Sequence, residues 1–283
     1  MARRNIFDIA KENLSLESEL ERIDTLIADI GLIKRNSDNC RDLFEFVNLY
    51  CFGKWKNRGH FLDLDDFLYT IGYSEAAAYA SDNEESLFIY LETIYNIWHL
   101  AYWEKLSDVT SVDLSSDFFL LKNIMDSILD HYNYIAYIDE ENEKVLLIEN
   151  KPETTAVAEI ITPELSLPVI RYNHHALKGD IESKKSILRT LGDHLEPQRK
   201  DLETLDKQLS QDIFYMLNNM NIRHNNVTLG DKNYKQNIAE MNNEDLEIWY
   251  DELYQMILLA YLVLDNRQRS NRIKDLKAAI NGG

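Results

Sequence analysis

Basic residues are scarce in this chain: 30 Lys and Arg stand against 49 Asp and Glu, a net charge of −19 over 283 residues. That balance excludes a broad positive surface, and with it a general nucleic-acid or anionic-membrane coat role. Any contact with a phosphate backbone must be local. Cysteine is rarer still, with only Cys40 and Cys51. No CxxC pair exists, and on one helix their eleven-residue separation spans about 16 Å, too far for a disulfide. The expected setting is therefore reducing and cytoplasmic. Glycine (9) and proline (4) are few, which favours helix over turn-rich architecture. The longest apolar run, Met256 to Leu264, is about half the ~20 residues of a membrane span. The start, Met1-Ala2-Arg3-Arg4, runs into Asp8, Lys11 and Glu12 without an apolar stretch, so no signal peptide and no membrane segment are expected. P-loop, GxGxxG, GxSxG, HxxxH, HExxH and paired-carboxylate patterns are all missing, so neither a cofactor nor a metal is expected.

What the chain does have is periodicity, over a length that allows one large or two modest domains. Residues 5–30 read as an acidic amphipathic helix with Leu16, Leu20, Ile23, Ile27 and Ile30 on one face. A second helix from about Asp38 carries Leu43, Phe46, Val47 and Tyr50, and a short one opens near Asp63. Ser81 to Glu84 has the form of a capping box before the stripe Leu87, Tyr90, Leu91, Ile94, Trp98 and Ala101, and a further helix fits 113–131. The period then switches to two: Tyr134–Ile138 and Val145–Ile148 flank an acidic turn as a β-hairpin, followed by a short helix at 154–161. Pro163 and Pro168 bracket an expected boundary. Beyond it a helix near Asp180 is kinked or restarted by Pro197, and two long stripes follow, Leu202 to Met220 and Leu246 to Leu264. The last helix, apolar almost all round between Leu253 and Leu264, is the expected centre of a bundle. The fold class expected is mainly α, with an N-terminal helical region at 1–131, a small hairpin-containing α+β element at 132–162, and a C-terminal helical bundle at 163–283.

Chemistry concentrates between the two long stripes, in Asn218-Asn219-Met220-Asn221-Ile222-Arg223-His224-Asn225-Asn226. Arg offers fixed donors that match phosphate, His moves a proton near neutral pH, and Asn either orients such groups or takes the left-handed turn that ends a helix. A basic pair near a bundle centre needs partners, and Asp251 or Glu252 are the candidates, with Tyr254 beside them. A structural ion pair has the same sequence signature. Tyr172-Asn173-His174-His175 is a second polar cluster; adjacent histidines point about 100° apart on a helix, so joint metal binding is not expected. The run 266–277 holds Arg267, Arg269 and Arg272 among five basic residues, either as a solvated helix end or as a phosphate-facing patch.

An Arg followed by a polar residue at a helix boundary inside a helical bundle resembles the motif of HEPN ribonucleases, found in many toxins and abortive-infection phage-defence proteins. The resemblance covers about residues 180–280. It implies Arg223 as the motif arginine and His224 as its polar neighbour, with Asn225 and Asn226 completing the catalytic group and Asp251, Tyr254, Asn219 and His174 supporting it. Where the family's catalytic His follows the Arg by a few residues, this chain has Thr228, Leu229 and Gly230. The implied activity is metal-independent RNA cleavage, in which Arg223 stabilises the phosphorane and His224 transfers protons, with RNA as partner and the protein as a homodimer. The competing expectation is a non-catalytic helical interaction or regulatory protein in which Arg223 and His224 belong to a structural polar network.

Overall fold

In the computed structural model, which describes residues 15–29, 31–35, 38–106 and 112–281, helix starts follow side-chain caps more closely than apolar stripes. The chain is mainly α and falls into two compact units, Met1–Asn150 and Lys151–Gly283. The expected hairpin falls in the first unit and the short helix after it in the second.

In the first unit, α1 (Leu16–Ile27) is followed by β1 (Ile33–Arg35), β2 (Asp38–Asn39) and α2 (Leu43–Tyr50). Residues 1–14 and Ile30, the rest of the first expected helix, lie outside the described residues. Asp42 caps α2 by accepting the Glu45 amide at 2.7 Å, which starts that helix after Cys40, and the helix ends before Cys51, its C-cap. The two cysteines thus do not share a helix; both are buried. Helices α3 (Leu64–Thr70) and α4 (Tyr73–Tyr79) lead to α5 (Glu84–Leu106), capped by Asn83 accepting from the Ser86 amide at 2.9 Å rather than by Ser81. Strand β3 (Val112–Leu114) pairs with β1 to complete an antiparallel sheet of order β2-β1-β3, a second β element that residue pattern did not signal. Ser115 then caps α6 (Ser116–His131), and β4 (Tyr134–Asp139) pairs with β5 (Lys144–Glu149) in the expected hairpin, Tyr134 opposite Glu149.

Helix α5 is the axis of this unit, burying residues on all sides from Leu87 to Ala101, and it also services the hairpin. Asn96 on α5 accepts the Val145 amide at 2.9 Å and donates to the Val145 carbonyl at 2.9 Å, while Glu92 accepts the Leu147 amide at 2.8 Å. Side chains thereby occupy the backbone groups of β5 that β4 does not reach. His99 on the same helix is 5% exposed with neither ring nitrogen hydrogen-bonded among the described residues, packed edge-on to Trp103. Burial, reinforced by Lys122, lowers its pKa to about 4.

The second unit comprises α7 (Pro152–Ile160), α8 (Pro163–Tyr172), α9 (Ile181–Leu195), α10 (Arg199–Leu205), α11 (Lys207–Asn219), α12 (Gln236–Ala239) and α13 (Asn243–Asn281). Pro163 opens α8 rather than bounding it, since the first helical amide needs no acceptor, and Pro168 sits inside α8. Around Pro197 the chain makes a 3₁₀ turn between α9 and α10, the expected restart. The stripe Leu202 to Met220 is not one helix: Asp206 leaves helical geometry and caps α11 by accepting the Leu209 amide at 2.9 Å. Helix α13, capped by Asn242, is central as expected, packing against α7, α9, α10 and α11. One face stays open, however: Leu259 is 49% exposed, and the helix runs on past its last buried residue, Leu264, to Asn281.

Candidate functional site

The Asn-rich turn is built by its own amides. Helix α11 ends at Asn219, whose Nδ2 donates to the Tyr215 carbonyl at 2.8 Å, and Asn221 takes a left-handed φ of 59°. Asn226, fully buried, accepts the Asn221 amide at 2.7 Å through Oδ1 and donates to the Asn233 carbonyl at 2.8 Å through Nδ2. Its own amide donates to Asn221 Oδ1 at 3.3 Å and its carbonyl accepts from the Lys235 amide at 2.8 Å. Asn225 accepts from the Thr228 amide at 3.1 Å and donates to the Thr228 hydroxyl at 2.8 Å, an Asx turn. The carboxamides of Asn225 and Asn226 are thus spent on the loop itself, and neither orients a reactive group.

Arg223 and His224 part company at this turn. The Arg223 side chain is 14% exposed; its Nε lies 3.0 Å from Asp193 Oδ1, Nη1 donates to Glu196, and the guanidinium sits 5.5 Å from the Phe214 ring centre. Nη2 is buried with no acceptor among the described residues. The carboxylates come from the C-terminal end of α9 and the turn after it, not from Asp251 or Glu252 as expected. His224 is exposed, and among the described residues no acid, base or carbonyl engages it. The pair expected to act together is therefore divided between an ion cluster and solvent.

Asp251 and Tyr254 belong instead to a second network, which residue pattern missed because its members lie far apart in the chain. Lys184, almost buried on α9, donates to Asp251 at 2.8 Å and pairs with Glu247 at 2.7 Å. Tyr172 donates to Asp251 at 2.9 Å and stacks on Tyr254, ring centres 4.0 Å apart at 7°. Tyr254 donates to the Val169 carbonyl at 2.8 Å and accepts from Asn173 at 3.0 Å, and Asn173 also donates to Thr154 at 2.9 Å. Burial, and after it Asp251, drives the Tyr172 phenol far above its usual range. Burial also pushes the Glu247 carboxyl up, but Lys184 and the Gly179 amide outweigh it and hold it low. With each hydroxyl neutral and each carboxylate paired, the cluster pins α7, α8 and α9 to α13. His174 is not drawn toward Arg223. Its Nδ1 accepts the Ala176 amide at 3.3 Å, and its ring lies 4.5 Å from that of His175, His174 being the extended cap before a 3₁₀ turn and not a residue of one helix with its neighbour.

Of the expected phosphate-binding arginines, Arg267 is paired with Asp201 at 2.8 Å and Arg269 with Asp265 at 2.5 Å, leaving Arg272 exposed and, among the described residues, without an ion-pair partner. The first unit holds a concavity of about 450 Å³ walled by Trp55, Trp103, Leu100 and Leu106. At its edge Glu104, 7% exposed, pairs with Lys54 at 2.9 Å and Arg35 at 3.8 Å. Burial and then Glu104 raise the neighbouring Cys51 thiol to about 12, which removes it as a nucleophile. No family model matches the chain, and neither a curated protein nor a solved structure does.

Proposed function

We propose that the protein acts by binding a macromolecule rather than by catalysis, as a helical interaction protein. The observation that carries this reading is the environment of Arg223. A guanidinium that is to stabilise a phosphorane must meet the phosphate, and here Glu196 takes Nη1, Asp193 lies 3.0 Å from Nε, and the two carboxylates repel an incoming anion. A proton-transfer partner must stand within hydrogen-bond reach, and His224 is exposed while Arg223 is held in its ion cluster. The binding element that remains is the last third of α13, which presents uncovered side chains along several turns. The test is incubation of the full chain with labelled single-stranded and structured RNAs. No cleavage is expected, and His224→Gln is expected to melt with the parent; cleavage that disappears in His224→Gln overturns the reading.

A second reading, an RNA-directed defence-type protein, is favoured by one observation: residues 265–281 carry five basic and two acidic side chains in an acidic protein, with Arg272, Lys274 and Lys277 exposed. On this reading Arg272→Glu weakens RNA binding and lowers its salt dependence, whereas Arg267→Glu, already engaged with Asp201, changes stability as well.

A further inference from the structure

The outer face of α13 carries Leu259, Leu262, Asn266, Arg269, Ile273, Leu276 and Ile280, spaced 3, 4, 3, 4, 3 and 4. That is an unbroken heptad seam, with Leu259, Asn266, Ile273 and Ile280 in one core position and Leu262, Arg269 and Leu276 in the other. Ile273, Leu276 and Ile280 are 51%, 59% and 69% exposed, and Leu259 faces out from the part of α13 that also builds the bundle, with Leu262 beside it half-buried against the core. The segment beyond Leu264 is about 25 Å of helix, touching the bundle through the Arg267–Asp201 pair and exposed from Gln268 onward, a length that is marginal for a helix alone in water.

From this seam we infer that α13 pairs with α13 of a second copy of the chain, antiparallel, in a two-stranded coiled coil. The inference deepens the reading of the protein as an interaction module and rests on it. Antiparallel, the seam is self-complementary: Ile273 of each copy falls opposite Leu262 of the other and Leu276 opposite Leu259, so each uncovered arm lies on the exposed Leu259 and half-buried Leu262 beside the other copy's bundle. The central layers join Asn266 to Arg269, and Arg269 enters the seam already neutralised by Asp265 of its own chain at 2.5 Å.

Charge selects the same orientation. In this register residues 254–281 of each copy are paired, so the basic arm of one lies on residues 254–270 of the other, where the acid is Asp265. At the flanking positions an antiparallel pair brings Asp265 to Arg272 of the second copy, twice by symmetry. A parallel pair in the same register brings Arg272 to Lys277, a repulsion. A nucleic acid would use the basic side chains and leave Ile273, Leu276 and Ile280 in water, which is why a second copy fits the whole face and a phosphate backbone only part of it.

Sedimentation equilibrium of the full chain tests this, with melting curves to verify that every variant is folded. The parent is expected to dimerise at tens of micromolar. Ile273→Glu and Leu259→Glu, on the arm and on the bundle, are each expected to yield monomers, and Arg272→Asp to weaken the dimer at least about tenfold, with Asp265→Arg in the same chain recovering most of the loss. A monomeric parent, a dimer indifferent to Leu259→Glu, or a monomer whose Ile273→Glu variant loses RNA binding would overturn the inference. A monomer that cleaves no RNA sinks only the pairing, whereas His224-dependent cleavage sinks the interaction reading whatever the oligomer.

Discussion

Gly192 on α9 lies so close to Leu217 on α11 that a Cβ at Gly192 would come within 2.7 Å of both methyl carbons of that leucine. Leu217 is completely buried and has no room to turn aside. Gly192→Ala is therefore expected to cost about 1–3 kcal/mol in chemical denaturation. Adding Leu217→Ala to that variant is expected to cost less than the same change in the parent, because the new methyl fills part of the space vacated.

Asn226→Ala strips partners from the Asn221 amide and the Asn233 carbonyl together. The expected loss is about 2–4 kcal/mol, since two buried polar groups are left unmade. Asn225→Ala, whose bonds are exposed, is expected to stay within about 1 kcal/mol. Equal losses from the two would contradict the division between a buried clasp and a surface turn.

Lys184→Met removes the shared cation of Glu247 and Asp251. With Asp251 nearly half exposed, the expected cost is discounted to about 2–3 kcal/mol at neutral pH. The sign of the pH effect follows from Glu247, whose folded pKa lies below 4.5: its contribution is present above that value and fades as the pH falls through the folded pKa. Stability of the variant measured across the acid range should accordingly be flatter than that of the parent.

His99 acts in a higher window. Its folded pKa of about 4 lies below the ordinary 6.5, so on acidification the unfolded chain takes up the proton first. Stability is full above about 6.5 and declines toward 4, and His99→Phe should remove that slope without lowering stability at pH 7. A slope unchanged by the substitution would assign acid sensitivity to the carboxylates alone.

The repeating apolar positions announced most of the helices, the hairpin and the central place of α13, because burial imposes a period that side chains must obey. Boundaries were less legible. Asp42, Asn83 and Asp206 end or begin helices inside or beside continuous stripes, since a cap acts through one hydrogen bond and leaves the apolar rhythm intact. The crowded amides around Arg223 were visible, but an Asn that satisfies buried backbone and one that orients a catalytic group are the same letter. The Lys184, Tyr172 and Asp251 cluster had no local signature: its closest members in sequence are separated by an interhelical turn, and only packing brings them to 2.8–2.9 Å.

The attention that Asn96 and Glu92 pay to β5 bears on how the protein behaves when crowded. A hairpin with a free edge is a template on which another chain's strand can add, and growth in that direction ends in fibrils. Here helix side chains hold the Val145 and Leu147 amides that such a strand would need. Resistance to aggregation is thereby delegated to two polar residues on α5, and a variant lacking them would keep its hairpin yet offer it to its neighbours.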